Sequence, residues 1–190
     1  MSNPVSFTQL QRIARALPCV PFKGIEKFYD IQGLLSKPDD FQEAICLLEA
    51  KSRSLRPTAI VGIDARGFLL AAPIALRLGV PMVMARKAGK MPGCSHRSTY
   101  AKEYETGDTM EIQDGALKEG DRVIIMDDLL ATGGTMRAAA SLVEEAGAKA
   151  VGCLCIVELD ALKGRETLSS PEREVWAMVN QAVLDSIVKD

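Results

Sequence analysis

The sequence predicts one α/β domain with a mainly parallel, twisted sheet flanked by helices. Short apolar runs at residues 58–63, 81–85, 123–126 and 150–157 have the pattern of strands that are buried on both faces. Helical patterns separate the first pair of these runs and the last pair. Strands that alternate with helices form βαβ units, which favour a parallel sheet. A chain of 190 residues is the size of one domain and can bury a substantial core.

The N-terminal part of the chain predicts two helices joined by a loop. Ser6 and Gln9 form a capping box that starts the first helix. Two prolines and a glycine between residues 18 and 24 end this helix and open the loop. Asp39 or Asp40 can cap the second helix, whose apolar residues recur at core spacing.

Two regions depart from the alternation of strands and helices. Residues 99–103 and 109–113 are strand-like and flank Gly107, a pattern typical of an antiparallel hairpin, which we expect as a flap beside the sheet. Near the C-terminus, residues 174–179 fit either a strand or the start of a terminal helix. The sequence gives no assignment for residues 167–190 as a whole.

Composition narrows the possible partners. The net charge of −2 argues against a large nucleic-acid footprint. No apolar run is long enough to span a bilayer, and no secretory or lipidation motif is visible, so we expect a cytoplasmic protein without a membrane partner. The five cysteines are scattered, and Cys153 and Cys155 are expected to be reduced core residues on one face of a strand.

The strongest motif follows the strand predicted at residues 123–126. Asp127 and Asp128 come at its carboxyl end, where open α/β sheets bind ligands. A glycine-containing loop then leads into a helix predicted at residues 136–145, so the loop offers main-chain amides and a favourable dipole to a phosphate. The alternative interpretation is a pair of solvated aspartates before a glycine turn. The loop residues are Ala131, Thr132, Gly133, Gly134 and Thr135.

Positive charge is expected near the same edge of the sheet. The turn at residues 64–67 repeats the layout of strand, turn and helix, and it carries Arg66, whose planar guanidinium suits a phosphate. A solvated surface arginine is the alternative. Further basic residues lie in a loop predicted from residue 86 to 98 and just beyond it, where they suit a polyphosphate or only a solvated surface. They are Arg86, Lys87, Lys90, His96, Arg97 and Lys102.

Residues 121–136 resemble the motif that binds phosphoribosyl pyrophosphate (PRPP) in the type I phosphoribosyltransferases. Residues 62–69, 86–93, 100–104 and 157–166 are similar to the adenine phosphoribosyltransferases of that family. The resemblance implies the type I phosphoribosyltransferase fold and a single domain over residues 1–190. Within it, we expect an N-terminal hood at about 18–38, a core at about 39–160 and a flexible lid loop at about 86–108.

The resemblance also implies an activity, the conversion of adenine and PRPP to AMP and pyrophosphate with Mg²⁺. In the family, the two aspartates contact the ribose and, through water, the metal, while the loop at 131–135 cradles the 5′-phosphate. Arg66 acts on the pyrophosphate from a turn that often holds a cis peptide, here Asp64–Ala65. Other residues assigned to PRPP or AMP are Arg86, Lys90 and Tyr100.

Adenine would be recognised by the main chain of Lys27 and Phe28, with the Phe28 ring and Leu129 on its two faces. Glu103, on the lid, would be the acid or base for the purine nitrogen. The resemblance further implies a homodimer in which the segment from Arg86 to Lys90 lies near the partner's site. Tyr29 departs from the family, which often has arginine there.

Two other functions stay open. A 6-oxopurine transferase is disfavoured by Ala131, because such enzymes usually carry an aspartate at this loop position. A PRPP-binding regulator without catalysis is disfavoured by the presence of Glu103 and the lack of a helix-turn-helix extension.

Overall fold

The computed structural model describes residues 6–22, 25–92, 94–100 and 108–187. The elements follow one another as an N-terminal region that contains the predicted hood, an α/β core with an antiparallel flap, and a short C-terminal strand and helix. In chain order they are α1 (Phe7–Arg15), β1 (Cys19–Phe22), β2 (Ile25–Tyr29), α2 (Gln32–Leu35), α3 (Pro38–Leu55), β3 (Ala59–Ile63), α4 (Gly67–Leu78), β4 (Met82–Lys87), β5 (Cys94–Tyr100), β6 (Asp108–Gln113), β7 (Arg122–Leu130), α5 (Gly134–Glu145), β8 (Lys149–Glu158), a 3₁₀ turn (Asp160–Leu162), α6 (Gly164–Thr167), β9 (Glu174–Val179) and α7 (Gln181–Ile187).

The main sheet has seven strands in the order β5-β6-β4-β3-β7-β8-β9. Five neighbouring strands, β4, β3, β7, β8 and β9, are parallel, while β6 pairs antiparallel with both β4 and β5. The predicted mainly parallel sheet with a flap is therefore confirmed. The chain moves to one side of β3 when it forms β4 and to the other side when it forms β7 and β8. The carboxyl ends of β3 and β7 therefore meet at a topological switch point, where open sheets bind ligands.

Hydrophobic residues cover both faces of the sheet. Ile124 packs in a cluster with α1, α3, α4 and α7, while its neighbour Ile125 packs in a second cluster under α5. Both side chains are fully buried, which explains why β7 has an unbroken apolar run instead of alternation. Cys153 and Cys155 are buried together in the second cluster, as predicted, and burial raises the pKa of Cys153 to about 12. Among the helices of the described residues, none is long and apolar enough to cross a bilayer.

The N-terminal predictions needed two corrections. The loop predicted after Pro18 is instead a β-hairpin, in which Val20 pairs with Phe28. Pro21 lies at a register shift between β1 and β2, a position where a strand tolerates a residue without an N–H. The helix predicted to start at Asp39 or Asp40 is α3, which begins at Pro38, so these residues are not caps and lie in its first turn, where acidic side chains complement the helix dipole.

Later elements resolve two predictions made from ambiguous patterns. Residues 94–98, predicted as part of a loop, belong to β5, which pairs with β6 from Cys94–Gln113 to Tyr100–Asp108. The predicted turn at Gly107 lies outside the described residues. At the C-terminus, β9 is a strand that pairs in parallel with β8, and the terminal helix α7 follows it.

Candidate functional site

The two aspartates lie on β7, which is longer than the sequence predicted. The strand continues past Met126 to Leu130, because β8 offers ladder partners as far as Glu158. Asp127 and Asp128 are therefore held by the ladder, with their carboxylates close to each other. Asp127 Oδ1 accepts the main-chain N–H of Asp128 at 2.9 Å. The prediction that the strand ends at residue 126 was wrong.

The residues that follow form a tight connection to α5, here called the phosphate loop (residues 131–135). Gly133 has φ = 84°, and α5 begins at Gly134, two residues earlier than predicted. The first intrahelical bond runs from Arg137 N to Gly133 O at 2.9 Å. The N–H groups of the first helical turn precede that bond and are available to an anion.

Arg66 connects three parts of the site. It stands at the N-cap position of α4, just after β3, and its Nη1 is 3.1 Å from Asp128 Oδ2. Its guanidinium carbon also lies 5.1 Å from the centre of the Phe28 ring on β2. The preceding Asp64–Ala65 bond is cis, as the resemblance implied. One side chain thus joins the carboxylates, the turn after β3 and the hood hairpin.

The carboxylate pair carries concentrated negative charge. Burial and the adjacent Asp128 carboxylate raise the pKa of Asp127 well above its usual range. Asp128 is 6% exposed, and its negative charge is partly neutralised by the Arg66 guanidinium, which donates a hydrogen bond to it. A pair of this kind favours a cation or the hydroxyl groups of a sugar, because both stabilise an ionised carboxylate.

A basic turn lies next to this edge. Arg86 Nε is 3.1 Å from Asp64 Oδ2, and Arg86 Nη1 donates to the carbonyl of Lys90 at 3.1 Å. The turn after β4 is therefore fastened to the turn after β3, which carries Arg66. Lys90 itself is exposed.

Comparison with known proteins identifies the family. A model of the phosphoribosyl transferase domain matches residues 33–185. An adenine phosphoribosyltransferase of Rhodospirillum rubrum is 50% identical over 157 residues, which cover 83% of this chain and 91% of that protein. The chain belongs to the adenine phosphoribosyltransferase family. It is thus an enzyme of the glycosyltransferase type.

Solved structures of other adenine phosphoribosyltransferases have the same fold. The enzyme from Rhodothermus marinus superimposes with a TM-score of 0.85 at 36% identity, covering 92% of this chain and 99% of that one. The enzyme from Saccharomyces cerevisiae gives 0.81 at 39% identity, covering 90% and 99%; it was crystallised with an imino-altritol bisphosphate and adenine.

The adenine side of the predicted site lies mainly on the hood. Lys27 is exposed on β2, whereas the Phe28 ring is 7% exposed and lies against Phe22, with ring centres 5.1 Å apart. Leu129 is partly buried on β7, one residue after Asp128. Any base that stacks on the side of Phe28 facing Arg66 would have to displace the guanidinium.

Other predicted residues of the adenine phosphoribosyltransferase site are only partly described. Tyr100 ends β5, and its main chain pairs with Asp108. Glu103 lies outside the described residues. Tyr29, which departs from the family, is paired with Cys19 across the hairpin. Burial and the nearby Cys19 thiol raise the pKa of Tyr29 to about 12.

Sequence reasoning missed two groups that support the site. Glu111 is 1% exposed on β6, and its Oε2 accepts the N–H of Gly89 at 3.1 Å, which fixes the basic turn after β4. The sequence did contain a signal for Glu111, because a carboxylate between two apolar residues in a predicted strand indicates a buried polar contact. Thr167, whose hydroxyl donates to the carbonyl of Thr132 at 3.0 Å, had no such signal, because this contact spans 35 residues.

Proposed function

We propose that the edge formed by β3, β7 and the phosphate loop transfers a phosphoribosyl group from PRPP to adenine. The products are AMP and pyrophosphate, which makes the reaction one of purine salvage. The observation that carries the proposal is Arg66, which lies 3.1 Å from Asp128 and 5.1 Å from the Phe28 ring. A cation for pyrophosphate, a carboxylate for ribose and an aromatic ring for the base are thus within reach of one side chain.

The 5′-phosphate would bind where α5 begins. Main-chain amides of the phosphate loop, the positive end of the helix dipole and the hydroxyls of Thr132 and Thr135 all suit its negative charge. The ribose would then lie beside β7, with its hydroxyls donating to Asp127 and Asp128. The loop residues in contact with PRPP or AMP would be Ala131, Thr132, Gly133, Gly134 and Thr135.

The leaving pyrophosphate would be held by Arg66, Arg86, Lys90 and Tyr100. Displacement at the anomeric carbon builds positive charge on the ribose, so the transition state is oxocarbenium-like. Asp127 and Asp128 would stabilise this charge, while the arginines would stabilise the charge on the departing group. Fixed charges of this kind often dominate catalysis.

Mg²⁺ fits the donors of this site. Burial raises the pKa of Asp127, the charge of the adjacent Asp128 raises it further, and a divalent cation would relieve the repulsion between the two carboxylates. Among the described residues, no cluster of three or more acidic, histidine or cysteine side chains could enclose a metal. Magnesium needs no such cluster, because it is commonly held by one or two carboxylates, water and phosphate oxygens. When bound, it would supply charge neutralisation to the pyrophosphate.

Adenine would be oriented by the main chain of Lys27 and Phe28 and enclosed between the Phe28 ring and Leu129. Glu103 would exchange the proton of the purine nitrogen, a role worth about 10²–10⁴ in rate when the group is well positioned. The Arg66 guanidinium would move away from the Phe28 ring when adenine and PRPP bind, because the same group is needed at the pyrophosphate.

We also propose a homodimer, with residues 1–190 of each chain forming one domain made of hood, core and lid. An apolar face on α4 and β4 supports this, because Leu69, Leu76 and Met84 are 45%, 84% and 42% exposed. This face adjoins the Arg86 turn, so a partner chain would lie near the site. A monomer in sedimentation equilibrium at micromolar concentration would exclude the dimer. A cytoplasmic location stays a prediction.

Initial rates with four bases test the function most broadly. Adenine, hypoxanthine, guanine and orotate are each offered with PRPP, once with Mg²⁺ and once with a chelator. We expect AMP and pyrophosphate from adenine, at least about tenfold higher kcat/KM than for any other base, and loss of turnover without the metal. A difference of about 1.4 kcal/mol in transition-state stabilisation produces that ratio.

Other outcomes of this assay have separate meanings. Faster turnover of hypoxanthine would replace the proposed activity with that of a 6-oxopurine transferase. Tight PRPP binding without turnover of any base would indicate a regulator. Full activity in the presence of the chelator would contradict the magnesium requirement alone.

A further inference from the structure

Helix α6 packs directly against the phosphate loop. The hydroxyl of Thr167 lies 3.0 Å from the carbonyl oxygen of Thr132 and 2.8 Å from that of Gly164. The backbone of α6 also lies directly against the backbone of the phosphate loop. A Cβ placed on Gly164 would lie 2.1 Å from the Ala131 carbonyl oxygen and 2.9 Å from the Gly133 nitrogen. Position 164 therefore accepts only glycine without a shift of the loop.

This contact fixes the direction of a main-chain amide. In a planar trans peptide, the carbonyl of one residue and the N–H of the next point in opposite directions. Since the Thr132 carbonyl points to Thr167, the N–H of Gly133 points away from α6. The Thr167 hydroxyl has one proton, which it shares between the Thr132 and Gly164 carbonyls. Through its share to the Thr132 carbonyl, it also favours this orientation of an amide in the phosphate loop.

An ion pair between the buried Glu158 carboxylate and the half-exposed Arg165 guanidinium links α6 to the sheet. Arg165 Nε donates to Glu158 Oε1 at 3.1 Å, and Nη2 bonds to the other carboxylate oxygen. Nη1 donates to the carbonyl of Val175 on β9. Glu158 is 4% exposed and pairs with Leu130, the last residue before the phosphate loop. The contacts of Arg165 to Glu158 and to the Val175 carbonyl thus hold α6 against β8 and β9, beside the loop.

We propose that Thr167 is a positioning residue for phosphate binding, acting through the Thr132–Gly133 peptide, and that Gly164 provides the room for this contact. The inference rests on the proposed function of the phosphate loop. It adds a supporting residue from a part of the chain to which the sequence assigned no role.

Calorimetry with ribose 5-phosphate and with adenine tests the proposal apart from turnover. Thr167→Val keeps the shape of the side chain and removes its hydroxyl. We expect the Kd for ribose 5-phosphate and the KM for PRPP to rise about 3- to 10-fold, the effect of one hydrogen bond, while the KM for adenine stays unchanged. Thr167→Ser keeps the hydroxyl and should restore wild-type values.

Two further variants separate positioning from folding. Ser169→Ala removes an exposed hydroxyl two residues away and should match the wild type. Gly164→Ala should weaken ribose 5-phosphate more than Thr167→Val does, since its Cβ reaches the loop backbone. Wild-type affinity for ribose 5-phosphate in Thr167→Val would overturn the inference, as would an equal rise in the KM for adenine. If the wild-type protein fails to bind ribose 5-phosphate, the proposed function falls, and this inference falls with it.

Discussion

Asp128→Asn is expected to lower kcat/KM for PRPP about 100-fold. The amide keeps the size of the side chain but removes the charge that pairs with Arg66 at 3.1 Å and that would accept a ribose hydroxyl. Hydrogen bonds to charged groups contribute roughly 1.5–3 kcal/mol each, so the loss of one such bond to the ribose accounts for a factor of this size. The KM for adenine should change much less. Steady-state kinetics with each substrate varied in turn measures both effects.

The matched control is Asp121→Asn at the other end of β7. Asp121 accepts the Thr58 hydroxyl at 2.7 Å and the Lys118 N–H at 2.8 Å, far along the strand from the proposed site. This variant should keep normal PRPP kinetics whatever its stability. If Asp128→Asn also kept normal PRPP kinetics, the assigned role of the carboxylate pair would be wrong.

Gly133→Ala is expected to impair both the phosphate loop and the stability of the fold. The residue has φ = 84°, and a Cβ there would lie 2.1 Å from Thr167 Oγ1 and 2.5 Å from the Gly164 carbonyl oxygen. The left-handed conformation costs an L-residue about 1–2 kcal/mol, and the overlap forces the loop to move as well. We expect at least a 100-fold fall in kcat/KM for PRPP and a Tm lower by about 4 °C or more.

Gly79→Ala separates the backbone cost from the contact. Gly79 ends α4 with φ = 69°, and a Cβ there would meet nothing within 4 Å. It should lose stability but keep full activity. Thermal unfolding and PRPP kinetics of the two variants give the comparison. If Gly133→Ala lost only as much as Gly79→Ala, the phosphate loop would not need its observed geometry for binding.

The core of the fold could be predicted because its signals are local. The apolar run of β7 is long enough to show burial on both faces, and Gly79 ends α4 in the left-handed conformation that glycine commonly adopts after a helix. Residues 174–179 were ambiguous because a short apolar run fits both a strand and a helix. The segment becomes a strand because it pairs with the edge of β8, and a local sequence pattern does not show that this edge needs a partner.

In the site, too, local sequence patterns predicted some residues, whereas tertiary contacts alone place the others. The aspartates, the phosphate loop and Arg66 were predicted from strand ends, because parallel strands bring their carboxyl ends to one edge. The hood hairpin was missed because Pro21 disfavours a strand, yet the register shift leaves that residue outside the ladder. Thr167 was missed because its contact depends on how α6 packs. Contacts of that kind follow from tertiary structure and leave no periodic pattern in the sequence.

The central claim is that main-chain amides at the start of α5 bind the phosphate of the sugar. A crystal structure of the protein with AMP tests it most directly. We expect phosphate oxygens about 2.7–3.2 Å from the nitrogens of residues 132–135, with the ribose hydroxyls on Asp127 and Asp128. A phosphate bound elsewhere, such as on the basic turn after β4, with the amides of residues 132–135 making no contact to it, would contradict the account.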